Sequence, residues 1–125
     1  MPKRWRAILC LLLASCCGAA AWFAFVTEAN VPRETLLLLH PDHLRHVAAL
    51  AAISALACLL WAPYGFVVSV LLAAGGAVEL VQWPLGRQAT PVDFVASGAG
   101  VLLGMMVAIV LRRASVGKRA LSGSH

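Results

Sequence analysis

Glu79, Gln82, Arg87 and Asp93 bring two carboxylates, an amide and a guanidinium to a single helix–loop–helix corner. The corner reads Glu79-Leu80-Val81-Gln82-Trp83-Pro84-Leu85-Gly86-Arg87 and resumes at Asp93-Phe94-Val95-Ala96-Ser97. Arginine can hold an anionic group, and a positioned carboxylate can orient it or take its proton. The flanking sequence is apolar enough for lipid. Ionisable groups are costly in hydrocarbon, so those retained near it face a protein interior or an aqueous cavity. The corner is therefore the default functional site.

A second polar set lies earlier. Asp42 and His46 are four apart on one helix face, with His43 and Arg45 between them. In an enzymatic reading, Glu79 or Asp93 acts as general base toward a lipid phosphate or ester, and His46 shuttles the proton. In a binding reading, Arg45 and Arg87 contact an anionic group. Asp42, His46, Glu79, Gln82, Asp93 and Ser97 then orient the group or hold the cations. Blander roles stand beside these. Glu79 with an arginine can simply tie the corner together. Asp93, just after Pro91, can cap a helix start and complement its dipole. A histidine is more often satisfied by a neighbouring carboxylate than bound to metal. His46, Glu79, Asp93 and Asp42 are suitable zinc ligands in type, but they form no local zinc signature, so no metal and no cofactor is expected. There is neither a phosphate-binding glycine loop nor a nucleophile elbow, and Ser97 has no base near it in sequence.

The elements that must carry these residues are apolar helices. The chain has 125 residues, of which 62% are hydrophobic and only 12% charged. A soluble domain has about a quarter of its residues charged. The expected fold is an all-α membrane protein, one domain formed by a bundle of four transmembrane helices. The spans are expected at about 7–26, 44–61, 65–83 and 92–111, followed by a basic tail over 112–125. Ala7 to Val26 alone is about 20 charge-free residues, roughly 30 Å as a helix. Thr35 to His40 is too short to cross. All 6 prolines fall outside the spans or at their edges. Trp5, Trp22, Trp61 and Trp83 sit near span ends, where indoles favour headgroups.

Asp93, Ser97, Gly100 and Gly104 are spaced 4, 3 and 4 residues apart, which makes one helical stripe. Gly100 and Gly104 form Gly-x-x-x-Gly, which permits close helix packing, with the third span and its Gly75-Gly76 as the expected partner. The cysteines Cys10, Cys16, Cys17 and Cys58 lie in apolar runs without zinc spacing and serve packing. Leu13-Ala14-Ser15-Cys16 matches a lipobox. The apolar run continues past it to Val26, which favours an uncleaved span.

The formal charge is +5. Its cations cluster at the two ends: Lys3, Arg4 and Arg6, then Arg112, Arg113, Lys118 and Arg119. No aromatic-interleaved basic patch is present, so nucleic acid is not an expected partner, whereas membrane lipids are. The positive-inside rule places both termini in the cytoplasm. All 5 acidic residues and His40, His43 and His46 then fall on or near the outer side.

Asp42 and His46, Glu79 and Gln82, Arg87, Asp93, Gly100 and Gly104 resemble, in order and spacing, the pattern of the VanZ-like family of bacterial membrane proteins. The likeness covers roughly Pro41 to Gly104. The family's lysine is His43 here, its asparagine is Ser97, and a tyrosine common after the histidine motif is Ala49. The resemblance implies a multipass plasma-membrane protein of the cell envelope, linked in some members to low-level glycopeptide resistance. It implies no particular reaction. The expected function is recognition of a lipid-linked or cell-wall-related ligand at the outer face. A membrane-embedded hydrolase or transferase is one alternative. The other is a structural partner of another membrane protein through the glycine stripe. A homo-oligomer is compatible with each.

Overall fold

Proline marks the helix starts. The computed structural model describes residues 2–25, 41–61, 63–82 and 91–122. Four helices make up the described chain: α1 (Lys3–Phe25), α2 (Pro41–Leu60), α3 (Tyr64–Gln82) and α4 (Pro91–Ser122). Pro41 and Pro91 occupy the first positions of α2 and α4, where a missing N–H costs nothing and the fixed φ suits a helix. The Pro2 carbonyl accepts from the Trp5 and Arg6 amides at 3.1 and 3.3 Å, opening α1. The Pro63 carbonyl accepts from Val67 at 3.1 Å and opens α3 in the same way.

Three helices contain stretches long and apolar enough to cross a membrane: Lys3–Trp22, His43–Leu60 and Val92–Val116. In α3 the apolar stretch is shorter, Tyr64–Val78. The whole of α3 has 19 residues, about 28 Å at 1.5 Å per residue. α1 runs unbroken through Cys16. The basic segment that follows the expected fourth span continues the same helix. α4 has 32 residues and continues to Ser122. The loss of hydropathy marks where an apolar environment ends, not where the helix ends, because arginine and lysine are good helix formers.

Side-chain contacts set the directions. Positions 100 and 104 of α4 lie against 47–50 and 51–55 of α2, so α2 and α4 run parallel. Gly76 of α3 faces Phe94, and Leu72 faces Gly98, so α3 runs antiparallel to α4. The α2–α4 interface is the most extensive of the helix pairings. The interior is built mostly of small side chains: Ala57, Cys58, Ala96, Val101 and Ala108 are buried, together with Val67 and the larger Ile53. Large apolar residues such as Leu11, Trp22, Phe66, Leu80, Leu103 and Met106 point outward. Small residues inside and large apolar ones outside is the arrangement of helices packed in lipid, where close backbone approach replaces the hydrophobic drive. Leu13 of α1 packs on the cluster of Ala57, Cys58, Val67 and Ala108.

Candidate functional site

The parallel pair α2–α4 is joined at three levels. At the end where both helices begin, His43 Nδ1 lies 2.8 Å from Asp93 Oδ1, with the side chains 16% and 20% exposed. The pair is ionic when the ring is protonated. Asp93 also stands in the first turn of α4, where a carboxylate complements the helix dipole. His43 is thus the residue that meets Asp93. Sequence reasoning treated it mainly as the replacement of a lysine, because spacing within one helix cannot reveal a partner about 50 residues away.

Below this pair comes backbone-to-backbone packing. A Cβ on Gly100 would stand 2.6 Å from the Val47 carbonyl oxygen and 3.2 Å from Leu50 Cβ. A Cβ on Gly104 would collide with the Ala51 carbonyl and stand 2.8 Å from both the Ala55 nitrogen and Ser54 Cβ. The partner of the glycine stripe is therefore α2. The expectation that it packs on α3 and Gly75-Gly76 is corrected: Gly76 meets only the Phe94 ring at 3.6 Å, and a Cβ on Gly75 would meet nothing within 4 Å. The parallel alignment turns the stripe away from the neighbouring helix in sequence and onto the one two places back. Between the glycines, fully buried Ser54 donates its hydroxyl to the Val101 carbonyl at 2.7 Å.

At the opposite end Arg112 closes the pair. Its Nη2 donates to the carbonyls of Cys58 and Leu59 at 3.0 and 2.9 Å. These are among the last carbonyls of α2, which lack partners inside their own helix. The Ala57 carbonyl is taken by the Trp61 amide at 2.9 Å. The guanidinium also sits 5.4 Å from the centroid of the Tyr64 ring at the start of α3. Arg112 thus ties α4 to both sides of the α2–α3 turn. The sequence had offered it only as an orienting cation. Its spacing of four and eight residues from Ala108 and Gly104 continued the same stripe and was the available signal.

The candidate residues gather by backbone position at the end marked by His43 and Asp93. Asp42, Arg45 and His46 lie in the first two turns of α2, and Asp93 and Ser97 in the first two turns of α4. Glu79 and Gln82 lie at the end of α3, beyond Gly76, which faces Phe94. Arg45 is exposed, His46 half-buried and Ser97 buried. Arg87 lies outside the described residues, as do Trp83, His40, Glu28 and Glu34. Among the described residues no three His, Cys, Asp or Glu side chains come together to hold a metal.

The described chain is thus a bundle of apolar helices organised around a close parallel pair, with the acidic residues and Arg45 at one end and Arg112 and Arg113 at the other. No family model, curated protein or solved structure matches it.

Proposed function

We propose that the chain is a multipass bacterial envelope protein of VanZ-like type, inserted in the plasma membrane with α3 as a fourth span. Its polar end recognises a lipid-linked or cell-wall-related ligand at the extracytoplasmic face. The observation that carries this reading is the half-buried His43–Asp93 pair at the head of a helix pair packed backbone to backbone. Two titratable groups placed there cost desolvation, and removing one partner leaves the other uncompensated. Such a pair suits a site better than a fold that already has Gly100, Gly104 and Ser54 to join its helices. Exposed Arg45, one turn from Asp42 on α2, supplies a cation for an anionic ligand. The resemblance to the VanZ-like pattern, which includes Asp42 and Asp93 but neither His43 nor Arg45, supports the same reading.

The test is a deletion host challenged with a glycopeptide and with envelope stress. Wild-type chain should restore the phenotype. Asp93→Asn and Glu79→Gln should fail to restore it while remaining in the membrane fraction. Full restoration by both variants removes the proposed site.

One observation favours the enzymatic alternative. A carboxylate oxygen against Nδ1 stabilises the proton there and leaves Nε2 as the basic nitrogen of the neutral ring. In that reading His43 takes the role of general base toward a lipid phosphate or ester, with Asp93 orienting it. Turnover of a purified lipid substrate, lost in His43→Gln, supports it; tight binding without turnover rejects it. The assembly alternative is less well supported, because α2 already covers the glycine stripe.

A further inference from the structure

The acidic residues of α2, α3 and α4 gather at one end, where Arg45 also stands. Asp42, Glu79 and Asp93 lie at the end where α2 and α4 begin. Arg112, Arg113, Lys118 and Arg119 lie along the far part of α4, and no acidic residue follows Asp93 in the sequence. Arg112 is engaged by the α2 carbonyls and the Tyr64 ring. Arg113 is exposed, and Lys118 and Arg119 follow on the same continuous helix. Exposed Leu111 precedes these cations, and exposed Val116 lies between Arg113 and Lys118.

We infer that the last three turns of α4 form a rigid arm that binds anionic phospholipid. The inference rests on the membrane-embedded reading above. Its geometry follows from helix dimensions. With Leu111, the last residue before the cations, set at the hydrocarbon edge, Arg113 stands about 3 Å beyond it along the axis, Lys118 about 10 Å and Arg119 about 12 Å. A headgroup layer is roughly 5–8 Å thick on each side of the hydrocarbon. Arg113 therefore reaches the lipid phosphates, and Lys118 and Arg119 lie within one Debye length of them, about 8–10 Å. A helix sets the backbone heights of those three residues along its axis. Apolar residues interleaved with cations suit an interface of acyl chains and phosphates better than a nucleic acid or a soluble acidic protein.

The experiment uses the full chain in mixed micelles with equal amounts of phosphatidylglycerol and phosphatidylcholine, with retained lipids read by native mass spectrometry. Phosphatidylglycerol should be retained roughly fivefold or more over phosphatidylcholine at about 0.1 M salt, and the preference should collapse near 1 M. The R113Q/K118Q/R119Q variant should lose most of that preference, any remainder belonging to Lys3, Arg4 and Arg6 near the other terminus. Glutamine keeps the helix propensity, and R113Q alone should give an intermediate loss. Equal retention by wild type overturns the inference, as does an undiminished preference in the triple variant, which would assign the lipid binding to Lys3, Arg4 and Arg6 instead. Alkaline carbonate extraction of native membranes separates the two levels. Release of the chain sinks the membrane reading and the arm together, whereas retention without lipid preference sinks only the arm.

Discussion

Asp93 and His43 meet at 2.8 Å across two helices that are not consecutive in the chain. Each lies near the start of its helix, and each is largely shielded from solvent. Their coupling is measurable. In a double-mutant cycle with His43→Gln and Asp93→Asn, read by denaturant unfolding in detergent, the two losses should fail to add by about 0.5–3 kcal/mol. Additive losses would mean that the two groups do not interact.

Gly104 and Gly75 make opposite predictions. At Gly104 the nearest atoms belong to the α2 backbone and cannot give way, so Gly104→Ala should force the helices apart and cost about 1–3 kcal/mol. Gly100→Ala should behave similarly. Gly75→Ala enters open space and should be neutral or stabilising by up to about 1 kcal/mol through helix propensity. Thermal unfolding of the three variants in the same detergent checks the contrast. Equal sensitivity at all three positions would contradict the close α2–α4 approach.

Arg112→Ala removes two charge-assisted hydrogen bonds and a ring contact at once. The expected loss is about 2–4 kcal/mol, with the α2–α3 turn the first segment to gain protease sensitivity. Arg112→Lys should recover only part of it, since an ammonium lacks the guanidinium's flat fork of donors. Full rescue by lysine would show that charge alone matters.

Ser54→Ala keeps the volume nearly constant while deleting one interhelical hydrogen bond. Such bonds contribute about 0.6–2 kcal/mol between membrane helices, so a loss in that range is expected on unfolding. Ser54→Val should cost more, because Ser54 Cβ is already among the atoms that crowd Gly104.

The expected orientation is checked with fusions. A periplasm-active reporter should be silent after Pro63 and active after Gly86. The reverse pattern would move the His43–Asp93 end to the cytoplasmic side.

Much of the fold was written in one-dimensional signals. Pro41, Pro63 and Pro91 bounded helices, and charge-free runs marked the apolar bodies of α1, α2 and α4 without fixing where those helices end. The stripe of Asp93, Ser97, Gly100 and Gly104 was visible as spacing, and its members share the α2–α4 interface or its margin. The identity of the partner was not visible. Spacing tells which face of a helix is small, but not which neighbour arrives there. Asp93 meeting His43, Gly104 meeting Ala51, and Arg112 meeting the end of α2 all depend on that missing information. Ser54 escaped notice because a lone serine in an apolar helix has no pattern; only the carbonyl opposite gives it a role. The extension of α4 to Ser122 escaped because hydropathy reports the surroundings of a helix rather than its hydrogen bonds.

The parallel pairing of α2 with α4 has a consequence for biogenesis. A ribosome delivers α2 well before α4, so the better-packed half of the molecule must wait for the final helix. Until then Ser54 and the terminal carbonyls of α2 lack the acceptor and the guanidinium that satisfy them. The contacts of α2 with Val101 and Arg112 therefore form only after α4 has been made.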